Sequence, residues 1–428
     1  MATFLEQVLA CLTIIVTPHS LACAAPLTAR LPLPAVRVPA SCYHAGMAEV
    51  VVVGGGPAGA AVAIHVARWG HAVLLLDRAA FPRRKACGEG LFPRGVAALQ
   101  DLGVLSALQP TASLQALRFH AGGATAGARL GSPARPALGV SRAVLDCALL
   151  DAARSSGVEV SLGERAVRLL PQGDRFVLET DRRVLAPAVI VAADGLNSRL
   201  RRQAGLEPKR SGRRYGLSAH VELPAAPDPA VEVHFGRGFE VYRTPVGERG
   251  LNVAVLASGR AGASYRGGLA DSLEPALDAV GIAHDGWRFL EPPVGAGPFP
   301  RLPTRSWARN LVLAGDAAGF FDGITGEGMS LALAVAPECA RAVHEFLASG
   351  GDTSVLALYK RRRRSLARNS ELLGRLTLLL ASHPALAARA VRGLARRPAS
   401  FSRLAAVSNG EASLGSLRPL DLLSPLLG

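Results

Sequence analysis

A glycine-rich turn between a strand and a helix constrains this chain more than any other feature. The β-branched run from Val50 to Val53 predicts a buried strand, and the alanine-rich segment 60–69 predicts a helix. In the spacing Gly54-x-Gly56-x-x-Gly59 between them, Gly54 permits a sharp turn and Gly56 lets the backbone approach a pyrophosphate. Gly59 allows the helix to pack closely on the strand. The pattern predicts the start of a βαβ unit that binds a dinucleotide.

The residues that follow the turn fit the same interpretation. A pyrophosphate would lie at the helix N-terminus, beside Pro57 and Ala58, where free N–H groups and the helix dipole favour an anion. Asp77 ends the second predicted strand, at the distance expected for an acid that accepts hydrogen bonds from an adenosine ribose. Arg78, directly after it, is a further candidate for cofactor contact.

Composition limits the alternatives. With 428 residues, 49% of them hydrophobic, the chain is expected to form two closely connected domains. The net charge is +15, but only three of the 48 basic residues are lysine, which favours a coding bias over phosphate binding, so nucleic acid is not an expected partner. The six cysteines form no C-x-x-C pair, which argues against a zinc site or a disulfide framework, and no structural metal is expected.

Residues 1–46 fit poorly with the rest of the chain. The apolar run from Val8 to Val16 has no preceding Lys or Arg and is too short to span a bilayer. Met47 directly precedes the first predicted strand. We therefore expect a disordered leader or an over-extended start site, with a cleaved export signal as the alternative.

The remaining chain predicts an α/β protein with an inserted antiparallel sheet. Buried strands are expected at 189–193 and 311–314, and short strands separated by Gly and Pro turns run from 213 to about 294. The predicted dinucleotide-binding domain comprises 47–212 and 296–350, with strands from 115–138 joining the second sheet. Residues 213–295 form the predicted substrate-binding sheet, and residues 351–428 form a basic helical region.

Three separated motifs carry a family resemblance. They are Gly54-x-Gly56-x-x-Gly59, Ala193-Asp194-Gly195-x-Asn197-Ser198-x-x-Arg201, and Ala314-Gly315-Asp316-Ala317-Ala318-Gly319 followed by Gly326-Glu327-Gly328-Met329. In this order they resemble the FAD-dependent flavoproteins of the para-hydroxybenzoate hydroxylase fold, over about residues 48–350. That superfamily includes aromatic monooxygenases, flavin halogenases and geranylgeranyl reductases.

The resemblance implies roles for several residues. Asp316, after Gly315, would bind the ribityl hydroxyls of FAD, and the helix N-terminus at Gly326, Gly328 and Met329 would face the flavin pyrimidine edge. Asp194 and Arg142 would lie on the nucleotide side and near the FAD, or else serve as a helix cap and an ion pair. Because no second dinucleotide motif follows, NAD(P)H would bind only transiently as the reductant.

The segment Lys85-Ala86-Cys87-Gly88-Glu89-Gly90 resembles a loop of the geranylgeranyl reductase subgroup, in which a cysteine lies near the flavin and the isoprenoid chain. Cys87 is therefore the candidate catalytic residue, and Lys85, a nearby cation, would favour its thiolate. The subgroup's Tyr-x-Trp-x-Phe-Pro stretch is replaced here by the stretch from Phe239 to Pro245. Tyr242, Pro245 and Phe321 are the candidate substrate contacts.

Three functions stay open on these grounds. The leading one is geranylgeranyl reductase-like reduction of an alkene in a hydrophobic small molecule by reduced FAD. The second is an NAD(P)H-dependent FAD monooxygenase that hydroxylates or epoxidises a hydrophobic or aromatic substrate in a dry pocket. The third is a lipid-surface protein that binds flavin without turnover. Halogenation is disfavoured because no tryptophan lies in the Trp-x-Trp-x-Ile-Pro motif of halogenases.

The C-terminal region is strongly basic. Residues 351–428 hold twelve arginines and one lysine against four acidic residues, and leucine-rich segments alternate with the arginines. Cationic amphipathic helices of this kind fit a peripheral contact with anionic lipid through 360–403, or a helical cap with a solvated arginine face. A cytoplasmic protein is expected, with contact at the inner face of the membrane as its extension; oligomeric state is not predicted.

Overall fold

The computed structural model describes residues 48–208, 212–258 and 273–426. The predicted leader at 1–46 lies outside these residues. The strands are β1 (Val50–Val53), β2 (Val73–Asp77), β3 (Gly90–Leu91), β4 (Ala112–Leu114), β5 (Ala116–Ala121), β6 (Ala124–Arg129), β7 (Ala137–Gly139), β8 (Glu159–Leu162), β9 (Ala166–Gln172), β10 (Arg175–Thr180), β11 (Val184–Leu185), β12 (Val189–Ala192), β13 (Arg214–Glu222), β14 (Ala230–Phe235), β15 (Phe239–Pro245), β16 (Gly250–Ser258), β17 (Arg288–Phe289), β18 (Val294–Phe299), β19 (Trp307–Ala308) and β20 (Leu311–Leu313).

The helices follow the glycine, serine and proline signals of the sequence. Pro occupies the first turn of several of them, where its missing N–H costs nothing. They are α1 (Pro57–Arg68), α2 (Pro93–Leu102), α3 (Arg142–Ser155), α4 (Arg199–Gln203), α5 (Leu273–Ala279), α6 (Gly328–Ala348), α7 (Ser354–Ala381), α8 (Pro384–Ala395), α9 (Pro398–Ser408) and α10 (Pro419–Leu423).

A mostly parallel sheet organises the first part of the fold. Within the described ranges its strand order is β19-β20-β12-β1-β2-β8, and β19 alone runs antiparallel to its neighbour. Every residue of β1, β2, β12 and β20 is buried, because helices and loops cover both faces of the sheet. The predicted βαβ unit is confirmed: β1 pairs in parallel with β2 on one side and with β12 on the other.

The second sheet supplies a wall opposite the first. Among the described strands its order is β17-β13-β16-β15-β14-β5-β6, and β18 also pairs with β13. Its pairs are antiparallel except for β14 with β5, which is parallel. The strands β5 and β6 come from an earlier part of the chain than the rest of this sheet. The predicted α/β fold with an inserted, largely antiparallel sheet is therefore confirmed.

Of the segment predicted to join that sheet, 115–138, only β5 and β6 do so. The strand β7 pairs instead with β3 and β4 in a small separate sheet. The strands β9, β10 and β11 form another small sheet. The small sheet around β7 lies where the cysteine loop (residues 85–90) joins α2, so it fixes the end of that loop.

The C-terminal helices pack on both parts of the fold. Helix α7 packs against α6, whereas α8 and α9 pack against β5 and β6. Val391, Leu394 and Phe401 share one buried cluster with alanines of those two strands. The C-terminal helices therefore form a cap that covers the second sheet as well as the first domain. No helix within the described ranges is long and apolar enough to cross a membrane.

Candidate active site

The largest cluster of predicted site residues lines one large cavity between the two sheets. The cavity encloses about 1330 Å³ of space, including its open mouth. The first-domain side of its lining comprises Gly56, Pro57, Ala58, Lys85, Cys87, Arg142, Gly315, Asp316, Gly326, Gly328 and Met329. The remaining lining is mainly apolar and comprises Leu217, Val231, Tyr242, Ala254, Leu256 and Phe299 of the second sheet, with Leu196 and Phe320 of the first domain.

The glycine turn depends on the absence of side chains. Gly54 has a φ of +114°, and a Cβ added there would lie 2.3 Å from the carbonyl oxygen of Ala193. A Cβ at Gly59 would lie 1.9 Å from the carbonyl oxygen of Gly54. At Gly56 the nearest atom would be Nη2 of Arg142 at 3.5 Å, so this position is open towards the cavity. Helix α1 begins there without a side-chain cap, which leaves its first N–H groups available to an anion.

Asp77 braces this turn from the adjacent strand. Its carboxylate accepts hydrogen bonds from the backbone N–H of Gly55 at 2.8 Å and of Ala79 at 2.9 Å. Arg83 Nη2 lies 3.6 Å from the same carboxylate. Asp77 itself does not line the large cavity, and Arg78 is exposed and outside that lining too. The ribose contact predicted for Asp77 stays a prediction.

Asp316 and Lys85 form an ion pair in the cavity lining. Lys85 Nζ lies 3.7 Å from Asp316 Oδ2, and both side chains are about one-third exposed. Asp316 belongs to the 3-10 turn Gly315–Ala318, which follows β20. A Cβ at Gly315 would lie 2.6 Å from Cβ of Ala58, so this turn approaches the first turn of α1 closely.

Arg142 is held rigidly at the cavity edge. Ser141 caps α3 by accepting from Val144 N, and Arg142 donates to both carboxylate oxygens of Asp146 at 2.8 Å. Burial lowers the pKa of Arg142, but the charge of Asp146 outweighs it and raises the pKa overall. Arg142 thus forms a buried ion pair and also lines the cavity, and its position near the FAD stays a prediction.

Asp194 serves as a helix cap rather than as part of the cavity lining. Its Oδ2 accepts from the backbone N–H of Arg199 at 2.9 Å and of Leu200 at 3.3 Å. Its neighbours Ala193 and Gly195 do line the cavity. Arg201, fully buried, donates to the carbonyl of Ala317 and so ties this motif to the Asp316 turn.

Helix α6 begins at the cavity. Gly326 has a φ of +66°, and Glu327 precedes the first helical residue, Gly328. Burial raises the pKa of Glu327 to about 8, although Arg94 pairs with it at 2.6 Å and opposes the shift. Gly326, Gly328 and Met329 line the cavity. That they face the pyrimidine edge of the flavin stays a prediction.

Cys87 lies at the cavity wall as a thiol rather than a thiolate. Burial raises its pKa, Arg142 opposes this, and Lys85 has the weakest of the resolved effects. Lys85 lowers the pKa of Cys87, as expected, but its effect is smaller than that of burial, and Lys85 also pairs with Asp316. The backbone N–H of Cys87 donates to Ser218 Oγ at 3.2 Å, which anchors the cysteine loop to β13.

The three candidate substrate contacts lie in different places. Tyr242 lines the large cavity, and its hydroxyl donates to the carbonyl of Ile324 at 3.1 Å. Pro245 ends β15 outside the lining. Phe321 lines an adjacent smaller cavity, with Arg375 stacked on its ring, and Phe320 occupies the wall of the large one.

A buried ion cluster supports the floor near Tyr242. Arg214 on β13 donates to Glu240 Oε2 at 2.7 Å and to Asp322 Oδ2 at 2.9 Å. Both carboxylates are buried, and burial raises the pKa of Glu240 to about 7 against the opposing charge of Arg214. The cluster joins the second sheet to the Gly323–Thr325 turn, where the hydroxyl of Tyr242 also binds.

Arg214→Met is expected to destabilise the fold by about 3–5 kcal/mol, because it leaves two carboxylates buried without their cation. Urea unfolding of the FAD-loaded protein would measure this change. The matched control is Arg249→Met, whose exposed side chain pairs with Glu222, and it should change stability by less than about 1 kcal/mol. Equal, small effects of the two substitutions on stability would contradict the role of Arg214 as the cation that neutralises the two buried carboxylates.

One histidine cluster lies on the second sheet outside the cavity lining. Among the described residues, His120, Glu232 and His234 place potential ligand atoms within 4.8 Å of one another. However, Arg243 donates to Glu232 at 2.6 Å and Arg118 at 3.3 Å. These arginines already neutralise the carboxylate and disfavour a cation there. That the chain holds no structural metal stays a prediction.

This cluster predicts a pH dependence of stability. Burial, followed by the charge of His234, lowers the pKa of His120 to about 4. Between about pH 6.5 and 4 the unfolded chain binds a proton at His120 that the folded protein excludes. The contribution of His120 to the stability of the folded state therefore falls as the pH drops. His120→Gln should flatten the fall in melting temperature between about pH 6.5 and 4 relative to the exposed-site control His383→Gln. Parallel curves for the two variants would contradict this.

Sequence reasoning assigned no role to Glu89, which lies in the cysteine loop, or to His220, which lies beside it. Glu89 is 2% exposed, and its Oε2 lies 2.5 Å from His220 Nε2 and 3.1 Å from Asn252 Nδ2. Its Oε1 accepts from the backbone N–H of Arg142 at 2.7 Å. The signal available was a charged residue inside a glycine-flanked motif; nothing in the sequence around His220 indicated that β13 would bring it there.

Comparison with known proteins agrees with this geometry. A family model described as an FAD binding domain matches residues 47–262. The chain belongs to this family of FAD-dependent oxidoreductases. The match includes the glycine turn, the cysteine loop and the Asp194 motif, so the suspected resemblance and the cofactor are confirmed.

Curated relatives of the flavoprotein include two kinds of reductase. It is 32% identical over 358 residues to a menaquinone reductase of Mycolicibacterium smegmatis, covering 78% of this chain and 84% of the relative. It is 30% identical to digeranylgeranylglycerophospholipid reductase 1 of Methanopyrus kandleri, covering 67% and 77%. A solved geranylgeranyl bacteriochlorophyll reductase-like protein of Thermoplasma acidophilum shares the fold at TM-score 0.66 and 20% identity, covering 89% of this chain and 96% of that one.

The residues present fit FAD. The uncapped first turn of α1 and the open face of Gly56 suit a pyrophosphate, and Asp316 lies in the same cavity lining as that turn. The lining continues to the N-terminus of α6 and then to the apolar wall of the second sheet. One cavity therefore provides adjoining spaces for a dinucleotide cofactor and a hydrophobic molecule.

Proposed function

We propose that the flavoprotein reduces a carbon–carbon double bond in the polyprenyl chain of a lipid or quinone. The observation that carries the proposal is the cavity itself, because the cysteine loop and the N-terminus of α6 meet a wall of apolar side chains there. The names of the reductase relatives point to the same class of substrate. Tyr242, Leu256 and Phe299 on that wall would contact the isoprenoid chain.

FAD would be held by Gly54, Gly56, Pro57, Ala58 and Gly59, by Asp316 and Lys85, and by the start of α6 at Gly326, Gly328 and Met329. When bound, FAD supplies the hydride for one carbon of the double bond. NAD(P)H would reduce it in a transient encounter, since the sequence carries a single dinucleotide motif. The uncapped backbone N–H groups at α6 would stabilise negative charge beside them.

Cys87 would deliver the proton for the other carbon. Its thiol lies at the cavity wall, and its raised pKa keeps the proton bound at neutral pH. The bond between Ser218 Oγ and Cys87 N holds the loop against β13. The apolar wall excludes water, so that a proton must come from a side chain rather than from solvent within the cavity.

Product analysis tests this proposal. The FAD-loaded protein, reduced with dithionite without oxygen, is incubated with a digeranylgeranyl glycerophospholipid, which carries double bonds but no quinone ring. The expected product gains two hydrogen atoms for each reduced double bond, measured by mass spectrometry. A product that gains oxygen under air, with no anaerobic product, would contradict reduction and support the monooxygenase alternative.

We further propose that the C-terminal helices bring this cavity to an anionic lipid surface. Seven arginines of α7, α8 and the residue after α8 are exposed; they are Arg361, Arg364, Arg368, Arg375, Arg389, Arg392 and Arg396. The leucines of α7 are mostly half-buried against the fold, so charge rather than inserted apolar surface would provide the attraction.

Charge reversal is a better test than truncation, because α8 and α9 contribute to the buried cluster under the second sheet. Changing Arg361, Arg364 and Arg368 to Glu should strongly reduce co-sedimentation with phosphatidylserine vesicles at low salt. The control reverses three exposed arginines elsewhere, Arg175, Arg182 and Arg237. Equal binding by the two variants would refute the membrane contact.

A further inference from the structure

We propose that Glu291, His220 and Glu89 form a proton relay from solvent to Cys87, and that this relay supplies the proton consumed when the double bond is reduced. The inference rests on the proposed function and adds two residues, His220 and Glu291, that lie outside the motifs of the sequence analysis, and it gives Glu89 of the cysteine loop a role. Glu89 is the inner member, His220 the middle one and Glu291 the outer one.

The inner end is buried and fully engaged. Glu89 Oε2 lies 2.5 Å from His220 Nε2, and Asn252 Nδ2 donates to the same oxygen at 3.1 Å. The backbone N–H of Arg142 donates to the other oxygen at 2.7 Å. Three donors therefore hold the Glu89 side chain, which is 2% exposed.

The outer end reaches solvent. His220 Nδ1 lies 2.9 Å from Glu291 Oε1, and Arg84 Nε lies 2.6 Å from the same Glu291 oxygen. The side chain of Glu291 is 27% exposed and that of His220 is 22% exposed. Both ring nitrogens of His220 thus have a carboxylate partner, one buried and one at the surface, which is the arrangement that an imidazole needs to pass a proton.

A side cavity contains this path. It encloses about 830 Å³ of space including its mouth and shares Lys85, Arg142 and Ser218 with the large cavity. The charged residues that line it are Arg83, Arg84, Lys85, Glu89, Arg142 and Glu291. The relay therefore connects an opening that is separate from the substrate wall to the loop that carries Cys87.

Glu89 and Cys87 are two residues apart in the cysteine loop, and burial together with the charge of Glu89 raises the pKa of the Cys87 thiol. The backbone N–H of Glu89 lies 3.5 Å from Cys87 Sγ and can donate to it. Ser218, which accepts from Cys87 N, lies two residues before His220 on β13, so both side chains are on the same face of that strand. The cysteine loop and β13 therefore hold Cys87, Glu89 and His220 together.

The backbone of Glu89 supports a functional role. Its φ is +58°, a region that non-glycine residues rarely adopt and that costs free energy. A bond from Val140 N to the Glu89 carbonyl at 3.1 Å helps to hold this conformation. A glycine at this position would relieve the strain. The fold therefore does not require a glutamate here, which favours a functional role for its carboxylate.

The proton balance requires such a path. Reduction adds a hydride to one alkene carbon and a proton to the other, so each double bond consumes one proton from the protein. Cys87 gives its S–H proton to that carbon and becomes a thiolate. The imidazolium of His220 gives its Nε2 proton to the Glu89 carboxylate, which passes it to the thiolate, and the neutral ring keeps its Nδ1 proton towards Glu291. The ring regains its second proton from solvent in the side cavity beside Glu291.

The protonation states agree with these steps. Burial lowers the pKa of His220, but its bonds to Glu89 and then Glu291 outweigh this and raise the pKa above its ordinary value. His220 is therefore more fully protonated near neutral pH than a free histidine. The relay should lose its proton as pH rises through that raised value, and the rate of reduction should fall with it.

His220→Gln tests the relay, and His284→Gln is the matched control, since His284 is similarly exposed in the same domain but outside both cavities. Single-turnover alkene reduction by the dithionite-reduced, FAD-loaded protein is measured against pH. His220→Gln should slow reduction at neutral pH by at least about tenfold and remove the fall at higher pH. Added imidazole should restore part of the rate through the side cavity.

A second readout does not depend on activity. The pH midpoint for alkylation of Cys87 by iodoacetamide, followed by peptide mass spectrometry on the oxidised FAD-loaded protein, should move upwards in His220→Gln, because Glu89 loses its partner. Glu291→Gln, at the surface, should reduce the rate less while leaving the melting temperature unchanged. His284→Gln should leave the rate, the pH profile and the midpoint as in the unsubstituted protein.

The outcomes separate the two proposals. An unsubstituted protein that never reduces the alkene overturns the proposed function, whereas the alkylation midpoint still reports whether His220 is coupled to Cys87. If the unsubstituted protein reduces the alkene but His220→Gln keeps its pH profile and its midpoint, the relay is wrong.

Discussion

Gly59→Ala is expected to remove most of the bound FAD. A Cβ at this position would lie 1.9 Å from the carbonyl oxygen of Gly54, so α1 must move away from the turn that would hold the pyrophosphate. Overpacking of this kind costs about 1–3 kcal/mol in stability. Because each 1.4 kcal/mol of binding free energy is about tenfold in affinity, we expect the dissociation constant for FAD to rise at least about tenfold.

Fluorescence titration of the apoprotein with FAD measures that constant, and a thermal melt measures the accompanying loss of stability. The control is Gly127→Ala on β6, where an added Cβ meets nothing within 4 Å and φ needs no glycine. Gly127→Ala should retain both the FAD affinity and the melting temperature. Normal FAD content in Gly59→Ala would contradict the role assigned to the turn.

The second large effect is expected at Cys87. In Cys87→Ala the wall of the cavity keeps its shape but loses its proton donor, so alkene reduction should slow by about 10²–10⁴-fold. Reduction of the bound flavin by dithionite should continue as before, since no side chain supplies a proton to the alkene in that step. Single-turnover rates with the polyprenyl lipid, compared with flavin reduction rates, separate the two effects.

Cys147→Ala provides the matched control, because Cys147 lies on α3 and outside the lining of the large cavity. It should reduce the alkene at the unsubstituted rate. An unimpaired Cys87→Ala would assign Cys87 to packing alone and would require another proton donor.

The parts of the fold that the sequence predicted are those in which local pattern and packing agree. The run Val50–Val53 is buried on both faces, so its composition alone indicated a central strand. The glycines at positions 54 and 59 were predicted because the turn needs a close backbone approach, and the structure shows that approach directly. Lys85, Gly315 and Met329, which line the cavity, were predicted from motifs that resemble those of the flavoprotein family.

The rest of the site depends on contacts between distant segments. His220 reaches Glu89 only because β13 crosses behind the cysteine loop, a separation of 131 residues in sequence. Phe320 lines the large cavity, whereas Phe321 lines only the adjacent smaller one. Which of the two phenylalanines faces the large cavity depends on how the chain leaves the Asp316 turn, and two identical residue types cannot indicate that. The protonation of Cys87 depends on burial that the loop sequence did not reveal; the nearby Lys85 indicated the opposite.

Hydride transfer from the reduced flavoprotein to a polyprenyl double bond can be followed directly. The FAD-loaded, pre-reduced protein is mixed with a digeranylgeranyl glycerophospholipid in an anaerobic stopped-flow instrument, and flavin absorbance is recorded. We expect oxidised flavin to return at a rate that depends on alkene concentration, whereas the saturated lipid should have no effect. Flavin that stays reduced with both lipids until oxygen is admitted would contradict this hydride transfer.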